Sequence, residues 1–148
     1  MLSFFTTKLA PKELSLLKVA IFSRAFTLVI AFLSDLIYPQ TEFGDHLVFA
    51  KKGENGETQY SLIAFFLKCL VRWDADYHFS IAQHGYLRHR DHCFFSLFPL
   101  LMRGTSYLFR PFIEEADAIL LAGALINFIA FPVTAHYLYK YNISLLSY

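Results

Sequence analysis

From Leu16 to Tyr38 the chain reads LLKVAIFSRAFTLVIAFLSDLIY, 23 residues in which only Lys18, Arg24 and Asp35 carry charge. Wound as a helix, such a run extends roughly 34 Å, enough to cross a hydrocarbon core of about 30 Å. The apolar core of a secretory leader is shorter, about 7–15 residues, and ends in a small-residue cleavage site. No such site follows here, so the run reads as a signal anchor retained as a first transmembrane helix over 16–38. A charge inside a span costs at least about 2.5–3.5 kcal/mol unless it snorkels or faces protein. Asp35 lies near the end of the run, where it can snorkel, whereas Arg24 lies deeper and is expected to face other helices.

The remainder of the chain fits the same solvent. Hydrophobic residues make up 56% and charged residues 17%, against about 45–50% and about 25% in ordinary soluble domains, and the mean hydropathy is +0.42. The expected fold class is an all-α membrane protein. Residues 93–109 form a weaker second span, interrupted by Pro99, Arg103 and Gly104, and 116–139 a better third one, in which Pro132 is tolerated as a kink. Between the first two, 39–60 has the Pro, Gly and charge content of an exposed loop. YSLIAFFLKCLV, from Tyr60 to Val71, is too short to span and suits a re-entrant or interfacial helix. Lys8, Lys12 and Lys18 favour a cytoplasmic N-terminus over 1–15. That orientation makes 39–92 the first luminal loop, 110–115 a cytoplasmic turn and 140–148 a C-terminal tail.

Several function classes fall away. With a net charge of +1 and no basic stripe among 13 Lys and Arg, nothing favours a nucleic-acid partner. Cys69 and Cys93 lack the paired spacing of a zinc site and read as unpaired small hydrophobes, with one bridge open to them in an oxidising lumen. His89, Asp91 and His92 lie adjacent in HRDH, a pattern more typical of an exposed polar turn than of a metal site. Neither metal nor cofactor is expected, and no phosphate-binding glycine loop or nucleophile elbow is present.

The densest chemistry lies in RWDADYHFSIAQHGY, residues 72–86. From Trp73 to Ile81 apolar and polar residues alternate, which by period alone describes a strand. Ala75, Phe79, Ala82 and Tyr86 also fall at helical spacing, and an isolated strand at a membrane surface leaves backbone groups unpaired, so an interfacial helix is favoured. In a helix Asp74 and His78 stack at i,i+4 while Asp76 lies about half a turn away. Trp73 and Tyr77 suit headgroup depth. The carboxylates read either as a solvated polar face or as a base for group transfer at the membrane surface.

Arg72-Trp73-Asp74, then Ile81-Ala82-Gln83-His84-Gly85-Tyr86, then Phe94-Phe95-Ser96-Leu97-Phe98-Pro99-Leu100-Leu101 together resemble the first luminal loop and following helix of the PIG-V (GPI mannosyltransferase 2) family. Ser96 departs from the proline usual there. The resemblance implies the N-terminal part of a polytopic GT-C type glycosyltransferase, with about three transmembrane helices and an interfacial luminal helix in this portion. It further implies a multi-pass protein of the endoplasmic reticulum membrane that moves mannose from dolichyl-phosphate mannose to a GPI-precursor glycolipid. By the same resemblance Asp74 is the catalytic base, with Asp76 the alternative. Arg72, Trp73, Asp76 and His78 are expected to bind substrate, Arg72 by meeting the departing phosphate. The competing expectation is a non-catalytic small membrane subunit that pairs with a partner protein through Arg24 and Asp35.

Overall fold

The computed structural model describes residues 11–38, 51–52, 58–59, 61–72, 74–87 and 89–146. Apart from a minimal antiparallel ladder, β1 (Lys51–Lys52) with β2 (Thr58–Gln59), the elements described are helical. They are α1 (Pro11–Ile37), α2 (Leu62–Leu67) followed by a 3₁₀ turn over Lys68–Leu70, α3 (Asp74–His84), a 3₁₀ turn over His89–Cys93, α4 (Leu97–Ser106) and α5 (Glu115–Leu146).

α1 starts with Pro11, whose missing N–H is no loss at a first helical position, and no glycine or proline interrupts it afterwards. It begins earlier than the run predicted from Leu16, and α5 continues beyond Tyr139 to Leu146. Among the described residues these are the two helices long and apolar enough to cross a membrane. Only 6% of the most apolar window of α1 and 28% of that of α5 are buried, so neither is packed as a core helix among the described residues. Phe22, Phe26, Ile30 and Leu33 all project from α1 uncovered, which suits lipid or further helices as surroundings.

The expected second span takes another form. Over 93–109 the chain ends one 3₁₀ turn, forms the ten residues of α4 and passes into bonded turns at Leu108 and Phe109. Ten residues rise about 15 Å, roughly half a hydrocarbon core. α4 instead packs against α3, burying Pro99 and Met102. Pro99 fits because it lies in the first turn of α4, where backbone donors have no helical acceptor.

The described residues divide into two compact units, one within 28–126 and the other made of 11–27 with 127–146. In the second, Glu13 lies 3.8 Å from Lys140 and the Arg24 guanidinium rests 3.8 Å above the Phe131 ring centroid. The order of these contacts makes the two helical segments antiparallel, and the deep arginine faces protein as expected.

In the 28–126 unit the core gathers Ala64, Val71, Phe79, Ala82, Met102, Ile119 and Leu120. α2 delivers the chain to it. Ser61 caps that helix by accepting the Ala64 N–H at 3.0 Å and donates its own proton to Asp117 of α5 at 2.7 Å. One hydroxyl therefore satisfies a helix start and a buried carboxylate together. At the other end of the site-bearing segment, α3 stops where Gly85 turns left-handed at φ +81°, its N–H still bonded to the Ile81 carbonyl at 2.8 Å.

Gly85→Ala is expected to lower stability by about 1–2 kcal/mol, because a Cβ opposes that left-handed backbone. Gly104→Ala, inside α4 with open space for a Cβ, is expected to raise it by about 0.5–1 kcal/mol. Thermal unfolding of the two variants in the same detergent checks the opposite signs.

Candidate active site

α3 is a helix whose first turn is polar and whose later turns are anchored. Phe79, Ile81 and Ala82 are buried, so the helix enters the core from its middle onward and leaves its start at the border. Asp74 is the first helical residue and is exposed; Asp76 and His78 are half-buried. The helical alternative holds over the strand, and the burial shows why: the neighbours Ile81 and Ala82 both turn inward, which strict alternation across a strand forbids. Carboxylates in a first helical turn are also favoured by the helix dipole. Trp73 lies outside the described residues.

His78 is enclosed by aromatic rings from the segment that follows. Its imidazole meets Phe94 edge-on at 5.2 Å and Phe98 edge-on at 5.3 Å, and Tyr77 stacks on Phe94 at 4.8 Å. Nδ1 of His78 has no hydrogen-bond partner among the described residues. Burial pushes its proton affinity below the ordinary imidazole range, an effect only partly opposed by the charge of Asp74. At neutral pH this places a neutral ring beside Asp74 rather than a cation. Phe94 and Phe98 thus set the surroundings of His78, which their apolar character in the sequence did not reveal.

Arg72 has a partner that the sequence left unassigned. Its Nη2 donates to Asp35 Oδ1 at 2.5 Å, and Lys68 Nζ lies 3.1 Å from Asp35 Oδ2. Asp35, expected to snorkel, is 3% exposed, because two cations four residues apart converge on it from the α2–α3 connection. The spacing of Lys68 and Arg72 was the available signal, since it puts both on one side of a helical turn. Phe32, one turn before Asp35, packs on Phe65 and Phe66 at 5.8 and 5.3 Å, which seats the end of α1 against α2.

HRDH proves not to be a wholly exposed turn. Asp91 is 1% exposed and accepts the Leu87 N–H at 3.0 Å, closing the connection between α3 and α4, while His89 and His92 remain exposed. The Tyr86 hydroxyl donates to the Phe94 carbonyl at 2.8 Å across the same connection. No three His, Cys, Asp or Glu side chains among the described residues gather as metal ligands. Cys69 is buried and Cys93 exposed, both as free thiols, and burial pushes the Cys69 thiol up, away from reactivity.

The described helices, two of them long and apolar enough to cross a bilayer, together with a polar helix start next to a carboxylate-bound pair of cations, are those of an all-helical membrane protein. More particularly, the family described as Mannosyltransferase (PIG-V) matches residues 12–147, and the chain belongs to that family. It is 33% identical over 122 residues to GPI alpha-1,6-mannosyltransferase 2 of Rattus norvegicus, covering 80% of this chain and 24% of the relative. The proteins of the same name in Cricetulus griseus and Homo sapiens are 32% and 30% identical over 127 and 132 residues, covering 82% and 84% of this chain and 25% and 26% of theirs. The chain thus spans about a quarter of the length of these curated relatives. No solved structure gives a significant match.

The neutral, enclosed state of His78 predicts a pH dependence. Below the ordinary imidazole value of 6.5 the unfolded chain binds a proton that the folded one resists, so stability is full above that value and lost as pH falls through the lower folded one. His78→Gln is expected to remove this part of the acid slope, read as the difference in melting temperature between variant and parent from roughly pH 5 to 8.

Proposed function

We propose that this chain carries the catalytic first loop of a GPI-anchor mannosyltransferase, which transfers mannose from dolichyl-phosphate mannose to a GPI-precursor glycolipid. The observation that carries the reading is the exposed Asp74 at the start of α3, on the segment that matches the family's R-W-D pattern, beside the two cations gathered on Asp35. A polyprenyl-linked donor keeps its sugar-phosphate at the interface, and a base that serves it must sit at headgroup depth, close to the ends of the spanning helices.

In the proposed step the Asp74 carboxylate takes the proton of an acceptor hydroxyl as that oxygen bonds to the anomeric carbon of mannose. The bond from that carbon to the phosphate oxygen breaks, and its electron pair leaves with dolichyl phosphate, inverting the centre. Arg72, about one-third exposed at its side chain, has further guanidinium donors besides the one bonded to Asp35, and its positive charge favours the phosphate on which negative charge accumulates. Exposure favours Asp74 over the half-buried Asp76 as the base; Asp76 and the neutral His78 are further substrate-binding residues of this reading, and the family resemblance adds Trp73.

The wider setting belongs to the same proposal: a GT-C type, multi-pass protein of the endoplasmic reticulum membrane, with α2, α3 and the loop before them on the luminal side. The short α4 serves there with α3 as a helical hairpin at membrane level. Further helices of the enzyme, or a partner subunit, would cover the exposed apolar faces of α1 and α5.

In a full-length protein containing this sequence, Asp74→Asn is expected to lower transfer by about 10²–10⁴-fold, the usual contribution of a general base, while Asp76→Asn costs less. Restoration of GPI-anchored proteins at the surface of deficient cells, with expression matched, measures both. Full rescue by Asp74→Asn would remove the base assignment.

A further inference from the structure

The geometry points to Asp35 as a positioning residue for the reaction proposed above: from the end of α1 its carboxylate fixes where α3 begins, and so where Asp74 stands. The chemistry of this inference rests on the mannosyl-transfer reading, but its geometry does not.

An acid two residues from the end of a long apolar helix has an inexpensive alternative in the headgroup region. Asp35 is instead turned inward and almost wholly covered. Its two oxygens are divided between Arg72 at 2.5 Å and Lys68 at 3.1 Å, both on the short connection between α2 and α3. The same two residues hold the ends of these helices through their main chains. The Lys68 N–H bonds the Ala64 carbonyl and closes α2, and the Arg72 carbonyl accepts the Ala75 N–H at 3.1 Å and opens α3. A continuous path therefore leads from α1 through the Asp35 carboxylate and the Arg72 side chain to the first hydrogen bond of the helix on which Asp74 is the first residue.

The rest of α3 is held independently. Phe79, Ile81 and Ala82 are buried, and the helix closes through Gly85. Loss of the Asp35 charge removes the carboxylate that stands between Arg72 and Lys68, and their mutual repulsion then acts on the connection while the later turns of α3 stay in the core. The consequence is a displaced first turn in a protein that remains folded. Displacing a reacting group by about 1 Å can cost about 100-fold, so turnover falls.

The test uses a full-length protein containing this sequence, with Cys69→Ala and Cys93→Ser as background. A reporter cysteine is placed either at the start of α3 (Asp74→Cys) or at its end (His84→Cys). Its labelling by a water-soluble maleimide is timed with the native Asp35 in place and again in the Asp35→Asn variant. Asp35→Asn is expected to change the labelling rate severalfold at 74 and leave it unchanged at 84. With Asp74 intact, Asp35→Asn is expected to lower kcat by about 10–100-fold, with donor KM also shifted by the release of Arg72. An unchanged rate at 74, or equal changes at 74 and 84, overturns the inference. A shifted rate at 74 together with full transfer by Asp74→Asn upholds the positioning role and discards the base assignment. If Asp35→Asn fails to accumulate, the longer Asp35→Glu replaces it and the same two labelling rates decide.

Discussion

One buried carboxylate organises the polar end of this molecule. Asp35 brings the end of α1, the end of α2 and the start of α3 to a single point. A charge withdrawn from water is tolerable only when paired and hydrogen-bonded, and two cations supply that here. Both remain partly open to solvent, which lessens the desolvation each contributes. Without the pairing, a segment as apolar as α1 would gain nothing by turning an acid inward. With it, the connection between α2 and α3 is held at both of its ends, at Lys68 and at Arg72.

Around that point the motif residues divide their work. Asp74 and Asp76 lie at the border, whereas Phe94 and Phe98 reach back from the start of α4 to enclose His78. Pro99 is buried in the seam of the same hairpin. Phe94, Phe98 and Pro99 of the F-F-S-L-F-P stretch therefore pack in the hairpin with the acidic helix and are not simply the beginning of a membrane span, whereas Phe95 projects outward. Ser61 and Asp117 tie α2 to α5, a contact between residues 56 positions apart.

The long apolar helices were legible because length and composition alone decide what can cross a bilayer, and their ends were missed by a few residues because polar side chains can continue a helix into the headgroups. The helical character of 74–84 was also legible, since its apolar residues recur at intervals that a helix buries and an isolated strand cannot. α4 was misjudged for a physical reason: its composition is that of a span, but its ten residues are claimed by packing on α3, and no local count reveals a tertiary partner. Asp35 was read as snorkelling because its counterion Arg72 lies 37 positions away in sequence. Asp91 was masked by its exposed histidine neighbours. The family pattern pointed to Asp74 as the candidate base, whereas the neutral ring beside it required the three-dimensional surroundings of His78 to be known.

The seam between α4 and α5 is filled by an accommodation between two residues. A Cβ placed on Gly123 would come within 2.8 Å of the Met102 methyl group, so the thioether occupies the room that the glycine leaves. An unbranched, polarizable chain with three rotatable bonds fills such a gap without dictating its shape. The joint is consequently compliant: small changes in volume on either helix can be absorbed by rotation about the sulfur.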